Sequence, residues 1–242
     1  MASTPNNQRF LMKRNVLLAA ALLCSGSLFA ADSSPKDEVA NAAKALEGKP
    51  NYSWRATYVV PEDSPFHPGP TDGKVQKDGL TDVKLSFGDN TTEFFLQGAK
   101  AAITNPDGGW QSLSELDNSE GPGRFFAAMI RNFKAPAAQA ADMAASVKEW
   151  KKDGDAYSGD LTEEGAKAIL TFRRGGGTAS NAKGSAKFWI KDGVLTKFES
   201  KVTGTVSWDG NDMDVDRKTT VEIKDVGTTK IEVPEEAKKK MS

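Results

Sequence analysis

Side chains that carry the commonest covalent and metal chemistry are scarce in this chain. Its 242 residues include one cysteine and one histidine. A disulfide framework is therefore excluded, and a zinc site of several His and Cys ligands is disfavoured. The histidine, His67, stands in the loop sequence Phe66-His67-Pro68. The sequence places neither a nucleophile nor an orienting carboxylate with it, so no nucleophile–base–orienter arrangement can be read. No apolar run reaches the roughly 20 residues that a membrane-spanning helix needs. An excess of one charge is missing too: 32 Lys and Arg face 33 Asp and Glu, for a net charge of −1. That balance offers no basic footprint for nucleic acid and no polybasic surface for anionic lipid.

What is present begins with an export pattern. Arg9, Lys13 and Arg14 precede an apolar run over 16–23, and Cys24 and small residues lead to Leu28-Phe29-Ala30-Ala31. This is the order of a secretory signal: basic start, short apolar stretch, small residues at the cleavage site. Met12-Lys13-Arg14 also makes a complete basic start, so Met1 and Met12 both stand as initiators. Leu23 precedes Cys24 where a lipid-anchored cysteine would have a small residue, so Cys24 reads as part of the removed segment. Residues 1–31 are expected to be cleaved, leaving 32–242 as one exported domain, periplasmic or extracellular, with no transmembrane segment. Removal takes three positive charges and no negative one, moving the net charge from −1 to −4. A domain of that length can bury roughly 70% of its unfolded surface and so form a real core.

Periodicity organises the rest. Ser34-Pro35 opens a short helix carrying Val39, Ala42, Ala43 and Leu46, closed by Gly48. Tyr52, Trp54, Ala56, Tyr58 and Val60 alternate with polar residues as a half-buried strand. Four prolines make residues 61–73 an exposed extended loop. Strands around Val83-Leu85-Phe87, Thr92-Phe94-Leu96 and Ala102-Thr104, separated by glycine turns, suggest an antiparallel meander. Pro122 opens a helix with Phe125, Phe126, Met129, Ile130 and Phe133 on one stripe. A second, Ala-rich helix runs from Pro136 to Val147. A hairpin spans Trp150 to Leu161, and Thr162 caps a third helix. Residues 173–184, with three successive glycines, read as a flexible loop. A long hairpin follows, turned at Asp192-Gly193, with Val194, Thr196, Phe198, Ser200, Val202, Gly204, Val206 and Trp208 on one face and Leu195 among the residues of the other. Met213, Val215, Thr219, Val221 and Ile223 return on the inner face, with Arg217 as the exception. Ile231 and Val233 suggest a last short strand. Such strands imply a sheet that is wet on one side and covered by helices on the other.

The order of these elements, with Tyr52-Ser53-Trp54-Arg55-Ala56-Thr57-Tyr58, Asn105-Pro106-Asp107-Gly108-Gly109-Trp110, Phe188-Trp189-Ile190-Lys191-Asp192-Gly193 and Ile231-Glu232-Val233-Pro234 as its markers, resembles the lipoprotein-carrier-like superfamily of bacterial envelope proteins, in particular its lipid-binding lipoprotein branch. It also resembles exported bacterial proteins with no assigned activity. The resemblance spans nearly the whole exported domain. It implies an α+β fold, a strongly curved antiparallel half-barrel whose concave face is covered by helices and holds acyl chains or lipid-linked groups.

No residue set argues for catalysis. The acidic stretch Asp209 to Asp216 lacks the glutamate at the twelfth position of an EF-hand, and reads as a solvated hairpin. Arg173-Arg174-Gly175-Gly176-Gly177 lacks the strand and helix context of a phosphate loop. Asn90-Thr91-Thr92 reads as a turn, and Glu163-Glu164 as complements to a helix dipole. What remains are the inner-face residues Trp54, Tyr58, Phe87, Phe94, Phe125, Met129, Phe133, Phe198 and Val202. They serve equally as a packed core or as the wall of an apolar pocket, since both require apolar residues at the same positions. Two functions stay open, with no cofactor or metal in either. One is capture of a lipid or acyl chain without catalysis; the other is a solid-cored envelope scaffold or a module binding an envelope protein.

Overall fold

Alternating apolar residues pull eleven strands into one sheet. The computed structural model describes residue 1 and residues 34–105, 107–119, 122–171, 177–208 and 210–242. The export signal with Cys24, the glycine stretch through Gly176 and the turn residue Asp209 lie outside the described residues.

The first helix, α1 (Pro35–Glu47), starts as its cap dictates: Ser34 Oγ accepts the Asp37 amide at 3.2 Å and Pro35 occupies the first turn. Strands β1 (Asn51–Val59), β2 (Thr71–Gln76), β3 (Thr81–Phe87), β4 (Asn90–Gln97), β5 (Lys100–Thr104) and β6 (Trp110–Ser112) form one meander. The middle of the chain is helical: α2 (Leu113–Asp117), α3 (Pro122–Arg131) and α4 (Pro136–Ala145). Then β7 (Lys151–Asp153), β8 (Ala156–Asp160), helix α5 (Glu163–Thr171), β9 (Thr178–Lys191), β10 (Val194–Trp208) and β11 (Asn211–Lys224) form a second meander, before α6 (Glu235–Lys240) ends the chain.

The strand order is β6-β5-β4-β3-β2-β1-β11-β10-β9-β8-β7, and every described pairing is antiparallel. The two meanders join where β1 meets β11. The sheet does not close: β6 and β7 are its opposite edges. The chain between those edges, α2 to α4, must therefore pass across the sheet. It does so on the face where Trp54, Phe94, Phe188, Phe198, Val202 and Val221 converge, and Ile130, Ala140, Met143 and Leu170 of the helices join them in one core. The fold is a strongly curved antiparallel half-barrel with helices over its concave face, as expected.

Several local readings need correction. Strand β2 begins at Thr71, so the extended loop ends at Pro70. Its sequence, Thr-Asp-Gly-Lys-Val-Gln, hides a strand because Gly73 is needed opposite Trp54. A Cβ on Gly73 would lie 2.1 Å from the indole Cζ2. Residues 178–184 are not a loop but the start of β9, paired with β10 across an irregularity near Asn181, whose φ is 54°. Leu195 points inward and is fully buried, because a register shift between Leu195 and Lys197 moves it to the core face. Ile231 and Val233 are not in a strand. With Ala237, Trp110 and Met241 they pack on Phe95 and Ala102, on the opposite side of β4 and β5 from the main core. The convex face is thus dry at that end and polar elsewhere. There Trp189 lies under two ammonium groups, Lys197 at 4.4 Å and Lys187 at 5.2 Å from its ring centre. Helix α2, opened by a Ser112–Glu115 capping box, and α6 carry no apolar period long enough to announce them.

Candidate functional site

The concave face is not filled. Two adjoining chambers lie between the sheet and its helices, with volumes of about 230 Å3 and 770 Å3. The larger falls within the roughly 300–1,000 Å3 of ordinary ligand pockets.

The inner chamber has a floor of strand side chains from both meanders: Trp54, Leu85, Phe94, Phe198 and Val221. Its roof is Met129 of α3, Phe133, Met143 of α4 and Ile169 of α5. Phe133 pins the α3–α4 junction to the floor, stacked on Trp54 with ring centres 6.1 Å apart and edge-on to Phe94 at 5.6 Å. At the side of the roof, Lys134 and Asp142 pair at 2.5 Å. Tyr52, next to this roof, receives the Ala137 amide at 3.4 Å, and burial pushes its phenol up to about 12.

The outer chamber exists because two strands part company. β1 pairs with β11 only as far as Val59 opposite Lys218, whereas β10 and β11 run on together to Trp208 opposite Asn211. Pro61, Pro65 and Pro68 keep the departing chain from extending that ladder. The gap is walled by this proline segment, by Phe87 at the end of β3, by Phe125 and Phe126 of α3, and by residues 213–217 of β11. Phe66 and Phe125 are 47% and 38% exposed on its rim. Leu85, Met129 and Arg217 belong to the walls of both chambers.

Of the nine residues proposed from sequence, Trp54, Tyr58, Phe94, Met129, Phe133 and Phe198 border the inner chamber. Phe87 and Phe125, and Met129 again, border the outer one. Val202 borders neither: it is buried in the solid part of the core, and a Cβ on Gly184 would meet it at 3.0 Å. Sequence reasoning placed Ser200, Thr219 and Arg217 along inner faces but did not count the polar members of the wall as site residues. Thr71, Ser200, Thr219 and Arg217 all face the inner chamber. Arg217 left a signal, as the one break in an otherwise apolar or hydroxyl-bearing inner face of β11. Its Nη2 donates to the Ile169 carbonyl at 3.1 Å, tying sheet to roof. Tyr58 and Thr71 join their hydroxyls at 3.1 Å.

His67 is exposed on its loop. On the acidic hairpin, Asp214 accepts from the Thr205 hydroxyl at 2.8 Å and Asp212 from Ser207 at 2.5 Å, both across the ladder. Glu163 pairs with Lys167 at 2.7 Å, which holds its carboxyl below the ordinary range. Among the described residues no group of three or more His, Cys, Asp or Glu is placed to hold a metal ion, and no helix is long and apolar enough to cross a membrane.

No protein-family model and no curated protein matches the chain. Among solved structures it is similar to LprF from Mycobacterium bovis, at 14% identity over 84% of this chain and 97% of the other, with a TM-score of 0.46. It is also similar to the lipoprotein LppX from Mycobacterium tuberculosis, at 13% identity over 83% of this chain and 98% of the other, with a TM-score of 0.48.

Proposed function

We propose that the N-terminal signal exports this chain and that residues 32–242 then hold a lipid or other apolar molecule in the concave chambers, with no bond made or broken. One observation carries the reading: a space of about 230 Å3 between an aromatic floor and the helices adjoins one of about 770 Å3 beside the proline segment. A cleft of this size with a mostly apolar lining is the usual form of a small-molecule site. Burial of an acyl chain there would be driven by about 0.8 kcal/mol per methylene taken from water. The signal pattern of residues 1–31 supports the exported location. The role assigned to the nine sequence-derived residues narrows to the eight that border a chamber.

Native mass spectrometry of the protein purified from its own host tests this directly. A bound acyl species that is lost on denaturing extraction is the expected result. A clean apo mass, with no uptake of added lipid, would sink the reading and direct the search to protein partners.

A further inference from the structure

A polar row crosses the floor of the inner chamber. Ser200 on β10 lies opposite Thr219 on β11, and Thr219 lies opposite Tyr58 on β1. The Tyr58 hydroxyl reaches Thr71 on β2 at 3.1 Å, so the row spans four adjacent strands. Arg217 stands two residues from Thr219 on the same face of β11 and borders both chambers. A wall for pure hydrocarbon needs none of these groups, and polar groups in an apolar wall cost free energy unless they are hydrogen-bonded.

The other charges are disposed to match. Lys134 and Asp142, the remaining ionisable side chains of the inner wall, neutralise each other. Asp63 borders the outer chamber and is exposed, whereas Asp214 and Asp216 alternate with the inward residues of β11 and project from its other face, where Asp214 accepts from Thr205. The Arg217 guanidinium, tied to the roof at the Ile169 carbonyl, borders both chambers. A guanidinium is a planar fork of five donors that matches a carboxylate or phosphate, and the hydroxyls beside it supply further donors to the same oxygens.

We propose, building on the apolar-ligand reading above, that the ligand is an amphiphile with an anionic oxygen headgroup, carboxylate or phosphate. The headgroup seats against Arg217 and the row Ser200–Thr219–Tyr58–Thr71, while the tail runs along the aromatic walls. Arg217 selects the ligand; the aromatic floor sets the affinity for its chain.

The test uses four probes with the same sixteen-carbon chain, each below its micellar concentration: hexadecanoate, hexadecyl phosphate, hexadecan-1-ol and hexadecyltrimethylammonium. Calorimetric titration is expected to show at least one anion binding about tenfold or more tightly than the alcohol, as hydrogen bonds to a charged group allow. The cation is expected to bind weakest. The two anion arms decide between carboxylate and phosphate. In Arg217→Met the ratio of anion to alcohol affinity should fall to within about twofold of one. Should that variant not fold, Ser200→Ala with Thr219→Val should lower the same ratio several-fold. Equal binding of anion and alcohol by the native protein would overturn the proposal, as would an anion preference that survives in the folded variants. Failure of all four probes to bind would instead bring down the apolar-ligand reading on which it rests.

Discussion

Asp82 provides a test of the convex face that is independent of any ligand. It lies in β3 between Lys74 of β2 and Phe95 of β4, with its side chain 8% exposed. Lys74 approaches only to 3.8 Å, and Asp82 Oδ1 has no hydrogen-bond partner among the described residues. Burial pushes the carboxyl up from its ordinary 3.8 to about 6, and the nearby Glu93 carboxylate adds to the rise; Lys74 and Lys84 pull against it. Because the folded pKa is the higher one, the folded state holds the proton more tightly than the unfolded chain does. The resulting stabilisation is complete below about pH 4 and is lost as the pH rises through about 6. At pH 7.5 the ionised group then opposes folding by about 2–3 kcal/mol, at 1.36 kcal/mol per pH unit. Asp82→Asn keeps the shape and removes the charge. It is expected to stabilise the protein at pH 7.5 by about 2 kcal/mol, or roughly 4–8 °C in Tm for a domain of this size. Lys74 is largely solvated, so losing its partner costs little. Urea unfolding across pH 3.5–8 measures the difference, which should shrink towards zero below pH 4. A variant less stable than the parent at pH 7.5, or a gain that grows as the pH falls, would refute the reasoning.

Two substitutions probe the chambers. Gly73→Ala puts a methyl 2.1 Å from the Trp54 ring, against a side chain held by Phe133. It should cost about 1–3 kcal/mol, shift the tryptophan emission and weaken capture of an apolar fluorescent probe; an unchanged Tm would show that the ring has room to move. Met129→Asp places a carboxylate in the wall shared by both chambers, at a half-buried position that leaves most of the α3 packing intact. Probe binding is expected to vanish while circular dichroism stays native, and unchanged binding by the folded variant would remove Met129 from the site.

How much of this could be read from sequence depended on whether a residue's neighbours in space were also its neighbours in period. The long hairpin of β9 and β10 was legible because alternation and Asp192-Gly193 are local signals. Trp54, Phe94 and Phe198 were legible as inner-face residues for the same reason. Leu195 was misplaced because a bulge shifts the period, and a bulge depends on the partner strand. Strand β2 was invisible because its composition serves Trp54 across the ladder rather than its own strand propensity. The second apolar cluster was missed because Phe95 looks like the solvent half of an alternation until residues 231–241 fold over it. The polar row was missed as a unit: Tyr58, Ser200 and Thr219 were placed on inner faces, but with Thr71 they lie on four strands and become one feature only through register.

The presence of chambers rather than a core also follows from side-chain size, read helix by helix. The small faces of α1 and α4, with Ala42 and Ala43 on one and Ala137, Ala140 and Ala144 on the other, are buried where the two helices pack together. That close approach uses up the compact, apolar side of α4. The residues left to face the floor are Pro136, Gln139, Asp142 and Met143, two of them polar. Beside them α5 presents Gly165 and Ala168, and Gly165 is held there by the close approach of Ser146, whose Cβ would lie 2.4 Å from any added methyl. An aromatic floor thus meets a roof in which the large apolar residues Met129, Phe133, Met143 and Ile169 are interrupted by positions that are small or polar. Large apolar residues at 139, 142 and 168 would make this sheet a solid core. With the residues present, a cleft lined by Trp54, Leu85, Phe94 and Phe198 is left between floor and roof.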